Sequence, residues 1–98
     1  MTTITEVQTL QRTKRMLVRE WNLADEPASD TDLRKTPPNG LGKSNTSIRA
    51  LETPIEINDF VDVEAQVRGS NLIKAKTVGD LSDRIWDGIP DSHKAEDS

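Results

Sequence analysis

The sequence contains no cysteine and one histidine among its 98 residues. The lack of cysteine excludes a disulfide framework, a thiolate metal site and a cysteine nucleophile, and a single histidine excludes a multi-histidine metal cluster. Large apolar side chains are also scarce, since Leu, Ile, Val and Phe together supply 22 of the 98 residues. We therefore expect one small domain with a thin core, close to the composition at which charged chains stay disordered.

An excess of positive charge and a long apolar run are missing too. The net charge is −4 and the isoelectric point is near 4.9, whereas neutralising nucleic-acid phosphates requires a basic face. No window approaches the roughly 18 apolar residues of a membrane span, and no basic stretch followed by apolar residues marks a targeting signal. These absences predict a cytoplasmic, acidic binding or carrier module that binds no nucleic acid and spans no membrane.

Two segments have clear helical periodicity. Apolar residues recur on one face of residues 4–23, and Pro27 follows the end of that pattern. Thr77 and Asp80 form a capping-box pattern, which predicts a second helix from residue 78 to residue 86 or 87. The opposite face of the first helix is basic and is interpreted as a solvated surface, with an interaction surface for an acidic partner as the alternative; it carries Arg12, Lys14, Arg15 and Arg19.

The middle of the chain has weaker patterns. Prolines, glycines and small polar residues predict a long loop over residues 27–45, and a short helix follows over residues 44–52, ended by Pro54. Residues 55–57 are expected to form an extended connection. Asp59 is expected to cap a further short helix that reaches Val67 and stops at Gly69.

Together these elements predict an all-α fold, a small irregular four-helix bundle with a long loop between the first and second helices. A single domain would span residues 1–90, and an acidic tail over residues 91–98, with no large apolar residue, is expected to be disordered. The predicted core consists of Leu17, Val18, Trp21, Ile55, Ile57, Phe60, Leu81 and Ile85.

No residues assemble into a predicted catalytic site. The Gly42-Lys43-Ser44 string is similar to the end of a phosphate loop, but Pro37 occupies the position of the first glycine and has no N–H to offer a phosphate. His93 falls in the predicted tail and is interpreted as a solvated side chain. Because no nucleophile, base and orienting group come together, we expect a protein that is not an enzyme.

With these landmarks placed, the chain resembles an acyl or peptidyl carrier protein over residues 7–87. The resemblance depends on the order and spacing of four strings: LVREWNL at residues 17–23, DTDL at 30–33, IEINDF at 55–60 and KTVGDL at 76–81. It implies a four-helix bundle of the acyl-carrier-protein type. It also implies a serine at the start of the second helix, in an Asp-Ser-Leu context, that carries a 4′-phosphopantetheine arm.

The chain departs from that family pattern at the attachment position. Counting from Leu33, Gly40 falls where the serine is expected, and Ser44 follows four residues later. The resemblance therefore predicts phosphopantetheine on Ser44, and Ser47 is the second candidate attachment residue. It also predicts a monomer whose protein partners are synthase, ligase or transferase enzymes.

The basic residues around the predicted second helix support an alternative. Carrier proteins of this kind present acidic residues there, whereas this chain has Arg34, Lys35, Lys43 and Arg49. The alternative is a carrier-like fold without a prosthetic group that acts as a protein-interaction or regulatory module.

Overall fold

A computed structural model describes residues 2–96, and over that range the chain is helical with no β-strand. The α-helices are α1 (Glu6–Trp21), α2 (Asn45–Arg49), α3 (Glu52–Pro54), α4 (Gly69–Leu72) and α5 (Val78–Asp87). A π-helical turn covers Ile55–Asp59, and two 3₁₀ turns cover Val61–Val63 and Asp91–His93. The predicted small all-α bundle is confirmed. No helix in the described range is long and apolar enough to cross a bilayer.

Helix α1 begins and ends with local signals. Thr5 caps it through a reciprocal capping box, in which Gln8 N–H donates to Thr5 Oγ1 at 3.1 Å and Thr5 N–H donates to Gln8 Oε1 at 3.0 Å. At the other end Asn22 adopts a left-handed conformation with φ of 51°. The helix is therefore shorter than the predicted residues 4–23, and Ile4 lies before it.

Residues 45–59 form a second helical segment built from α2, α3 and the π-helical turn. The residues at its internal junctions, Ala50, Leu51 and Ile55, all keep right-handed helical backbone angles. The extended connection predicted at residues 55–57 is therefore wrong. Ile55 is fully buried and Ile57 is 62% exposed, because residues two apart on a helix face opposite sides, so the prediction of Ile57 in the core is wrong as well.

The chain between the second helical segment and α5 also differs from expectation. Asp59 caps no helix; its carboxylate binds Arg19 of α1, with Nη1 to Oδ1 at 2.8 Å. Gly69 begins α4 rather than ending a helix. A Cβ at Gly69 would lie 3.0 Å from the carbonyl oxygen of Arg49, so the glycine permits the close packing of α4 on α2.

Helix α5 matches its predicted bounds and packs mainly against α1. Its capping box is present, since Asp80 N–H donates to Thr77 Oγ1 at 3.1 Å and Asp80 Oδ2 accepts from Thr77 N–H at 3.3 Å. Leu81 and Ile85 are fully buried, as predicted. Fully buried large side chains also come from every other part of the fold: Ile4, Met16, Leu17, Leu33, Ile48, Ile55, Phe60, Val63 and Leu72.

Residues 91–96 are docked, in contrast to the disorder expected for the tail. Ile4 N–H donates to His93 O at 2.8 Å, and Ala95 N–H donates to Ile4 O at 2.9 Å. His93 is 8% exposed, and its Nδ1 lies 2.7 Å from Thr2 O, so its interpretation as a solvated side chain is wrong. Backbone pairing with the first residues, rather than apolar side chains, orders this segment. Asp97 and Ser98, the end of the predicted tail, lie outside the described residues.

Candidate functional site around Ser44

Ser44 is the N-cap of α2 and its side chain is exposed. Ser47 N–H donates to Ser44 Oγ at 3.3 Å, and the Ser44 hydroxyl lies 3.4 Å from Ser47 Oγ. No imidazole or carboxylate in the described range bonds this hydroxyl. Within that range the Ser44 hydroxyl therefore has no neighbouring base positioned to activate it as a nucleophile.

The chain that leads into Ser44 is fixed by backbone hydrogen bonds. Leu41 N–H donates to Asp32 O at 2.9 Å, Gly42 N–H to Lys35 O at 2.8 Å and Lys43 N–H to Leu33 O at 2.8 Å. Gly42 has a φ of 65°, a conformation that glycine adopts without strain. The long loop therefore doubles back on residues 32–35 before it presents the serine.

Asp32 stabilises the first arm of that doubled loop. Its carboxylate accepts the N–H groups of Lys35 at 2.9 Å and Arg34 at 2.8 Å. These hydrogen bonds, that of Lys35 first, lower the pKa of the Asp32 carboxyl from its ordinary value. The ionised form is thus the one that the loop favours.

Arg34 holds the loop against two other parts of the fold. Its Nε donates to Asn45 Oδ1 at 2.8 Å, its Nη1 donates to Ala75 O at 2.6 Å and its Nη2 donates to Ile73 O. The guanidinium thereby joins the loop, the first residue of α2 and the chain just after α4. Sequence reasoning grouped Arg34 with a basic surface because these partners lie 11 to 41 residues away along the chain.

Gly40, on which the resemblance places the family's serine, has no room for a side chain. It is buried, and a Cβ built there would lie 2.6 Å from Lys35 O and 2.7 Å from Asp32 O. Both are backbone atoms that are themselves hydrogen-bonded, so neither can move easily. The position is therefore closed to a serine side chain, and Ser44 is the nearest serine along the chain.

The basic face of α1 is partly neutralised within the molecule. Arg12 Nη1 lies 2.7 Å from Asp62 Oδ1, and this hydrogen bond lowers the pKa of the Asp62 carboxyl. Arg19 binds Asp59, which raises the pKa of its guanidinium. Arg12 and Arg19 are thus paired with carboxylates while Arg19 stays exposed, so the solvated basic face is partly neutralised by Asp59, at the end of the second helical segment, and by Asp62 just after it.

The two tryptophans are half-buried against the core, and a lysine lies over each ring. Lys43 Nζ is 5.5 Å from the Trp21 ring centroid, and Lys94 Nζ is 4.9 Å from that of Trp86. The residue before Ser44 is thus tied to the end of α1.

No family model matches the chain, and searches of curated proteins and of solved structures found no match.

Proposed function

We propose that this protein is a non-enzymatic carrier module that holds an acyl or aminoacyl group on a 4′-phosphopantetheine arm esterified to Ser44. The observation that carries the proposal is the exposed Ser44 hydroxyl at the first turn of the second helical segment, directly after a long fixed loop. An acceptor hydroxyl at that place is what the resemblance to carrier proteins implies.

The order of elements supports the proposal. A long helix α1, a loop over residues 22–44, the second helical segment, the short α4 and α5 follow one another along the chain. This order agrees with what the resemblance to carrier proteins implies, and Ser44 lies where the second helical segment begins. Lys43 and Arg49 near that serine would select partner enzymes whose docking surfaces are acidic.

The loading step is a phosphoryl-group transfer from coenzyme A. Ser44 Oγ bonds to the phosphorus next to pantetheine, and the bond from that phosphorus to the oxygen of the leaving adenosine 3′,5′-bisphosphate breaks. The hydroxyl proton passes to a base of the transferase, since none on this chain bonds to Ser44 in the described range. The arm then supplies the thiol that carries the acyl group.

Intact mass measures this function directly. Incubation with a broad-specificity phosphopantetheinyl transferase and coenzyme A should add about 340 Da, the mass of the arm. Ser44→Ala should abolish the gain, whereas Ser47→Ala, the matched control three residues away, should keep it. No gain in the wild-type chain, or a gain that survives Ser44→Ala, would contradict the proposal.

A variant at the family's own position provides a second check. Gly40→Ser in a Ser44→Ala background should restore no modification, because the new side chain meets the backbone of Asp32 and Lys35. A regained mass shift in that variant would show that the doubled loop opens to admit the transferase. Position 40, which the count from Leu33 gives as the family's serine position, would then be able to accept the arm, and the closure around Gly40 would no longer favour Ser44.

The second candidate is an interaction module without the arm, favoured by the closed Gly40 position. Lys35 and Arg49 are exposed, and within residues 2–96 neither has an ion-pair partner. A partner retained on purification from the native host should be weakened by Lys35→Glu with Arg49→Glu. Arg34 is unsuitable for this test, because its guanidinium is held by the fold.

A further inference from the structure

Helices α1 and α5 border a groove at the surface of the bundle. Val7 and Leu10 line it from α1, and Ser82 and Trp86 line it from α5. The groove measures about 220 Å³. Leu10 and Trp86 are half-buried against the core, while Val7 is 54% exposed. An apolar strip thus remains open to solvent between two helices, and we call it the α1–α5 groove.

Carboxylates flank this strip on both sides. Glu6 borders it on α1 and Asp83 borders it on α5. Asp80 and Asp87 lie beside Asp83, together with Arg84, whose Nη1 donates to Asn71 Oδ1 at 2.7 Å. Among residues 2–96, Glu6, Asp83 and Asp87 have no ion-pair partner. This differs from the basic side of α1, where Arg12 and Arg19 already bind Asp62 and Asp59.

The ring of Trp86, at the α5 edge of the groove, already has one cation of the same chain beside it. The ammonium of Lys94 lies 4.9 Å from its ring centroid, in cation–π contact. The same ammonium is 3.6 Å from Asp91 Oδ1, so it leaves the Glu6 and Asp83 carboxylates uncompensated. The α1–α5 groove combines apolar anchors with net negative edges.

We propose that the α1–α5 groove binds a basic amphipathic helix of a partner protein. A helix laid between two helices places apolar side chains at i, i+3, i+4 and i+7 on the strip, and its flanking Lys or Arg residues meet the carboxylates. Charge complementarity selects this occupant. Nucleic acids and anionic membranes are both repelled by the row of acidic side chains.

The inference goes beyond the carrier function and does not depend on it. The groove belongs to α1 and α5, and none of its lining residues lies in the loop or the second helical segment around Ser44. The unmodified chain would therefore bind the partner helix, and a chain that fails to accept phosphopantetheine would bind it equally well.

The test uses the full chain and an amidated leucine–lysine peptide whose leucines recur at helical spacing. Adding the peptide should shift the fluorescence emission maximum of Trp86. The measurement uses a Trp21→Phe background, so that Trp86 is the remaining tryptophan and gives the whole signal. Backbone amide shifts in NMR spectra should change around Val7, Leu10 and Ser82. A peptide of the same composition in scrambled order should bind at least severalfold more weakly, because it lacks the apolar stripe.

Two valines of nearly equal exposure give a matched pair of variants. Val7→Ser removes an anchor of the groove and should weaken binding about fivefold, as loss of a central contact does. Val61 is 56% exposed and lies outside the groove, so Val61→Ser should leave affinity unchanged. Both substitutions are at exposed sites and should preserve the helical circular-dichroism spectrum.

Charge and assembly complete the test. Glu6→Gln with Asp83→Asn should weaken binding. It should also reduce the effect of NaCl on affinity, because the charges that salt screens are gone; the Debye length falls from about 10 Å at 0.1 M salt to about 3 Å at 1 M. Equal weakening by both valine variants, amide shifts centred on the second helical segment, or no binding of the amphipathic peptide would overturn the proposal. A concentration-dependent dimer lost in Val7→Ser would assign the groove to a second copy and overturn it too.

Discussion

Replacing Arg34 should cost this domain a large part of its stability, although the residue looks like a surface cation in the sequence. Its guanidinium makes three hydrogen bonds, to Asn45 Oδ1, Ala75 O and Ile73 O. Hydrogen bonds from a charged donor contribute about 1.5–3 kcal/mol each, but these three bonds are exposed or only partly buried, so water replaces part of each once the side chain is gone. We therefore take about 1 kcal/mol for each, and expect Arg34→Met to lose about 2–4 kcal/mol.

That loss is large for a chain of this size, because small domains are stable by only about 5–15 kcal/mol. Urea unfolding followed by tryptophan fluorescence and circular dichroism measures it. With a slope of about 1–2 kcal/mol per molar urea, the midpoint should fall by about 2 M. Methionine retains much of the aliphatic stem, so the shift reports the hydrogen bonds more than lost packing.

Two further variants separate geometry from charge. Arg34→Lys keeps the charge, but a single ammonium cannot span three acceptors in the guanidinium's fork geometry, so about half of the loss should remain. Lys35→Met removes the neighbouring charge from an exposed side chain and should change stability by less than about 0.5 kcal/mol. An Arg34→Met chain as stable as wild type would refute the anchoring role and return Arg34 to the candidate partner surface.

Two other predictions test the core and the ion pairs. Leu81→Ala should cost about 2–5 kcal/mol in urea unfolding, because Leu81 is fully buried; a loss well below about 1 kcal/mol would mean that α5 is not docked on α1. Stability should also fall as pH drops below about 4, because the pKa values of Asp32 and Asp62 are lower in the folded chain, so the unfolded chain binds more protons there. Asp62→Asn should flatten that acid slope, and an unchanged slope would show that the Arg12–Asp62 pair does not couple to folding.

The parts of the fold that were predictable from sequence are those whose signals are local. Helix α5 carries its capping box at Thr77 and Asp80, and its apolar residues keep one period, so its bounds were correct. Helix α1 was predicted for the same reason. Its N-cap is Thr5 and it begins at Glu6, slightly later than the predicted start at residue 4. The signals that predict both helices, the capping boxes and the apolar pattern, link residues three or four apart and can therefore be read from the sequence.

The second helical segment was misread because Pro54 looked like a stop. Proline breaks a helix in its interior but is tolerated in the first turn, where its missing N–H has no intrahelical partner. Helix α3 begins at Glu52, so Pro54 lies in such a first turn. The sequence alone does not show that α2 ends and α3 restarts without the chain leaving helical geometry.

The role of His93 was missed for a different reason. Its Nδ1 bonds Thr2 O, and its Nε2 lies 3.7 Å from a carboxylate oxygen of Glu64. Those partners are distant in sequence, and no local pattern links them. The candidate site shows the same difference: Ser44 was proposed from its short motif and stays a prediction, whereas the anchoring of Arg34 and the closure around Gly40 depend on contacts made only in the folded chain.

Leu33 explains how a chain with so few apolar residues can still fix the position of Ser44. Its N–H donates to Lys76 O at 2.9 Å, directly before the cap of α5, and its own carbonyl accepts Lys43 N–H at 2.8 Å, directly before Ser44. The side chain of Leu33 is fully buried. The backbone of one residue thus joins the start of α5 to the candidate attachment site. Because backbone hydrogen bonds fix most of the loop, it can consist largely of small and polar residues and still hold Ser44 in place.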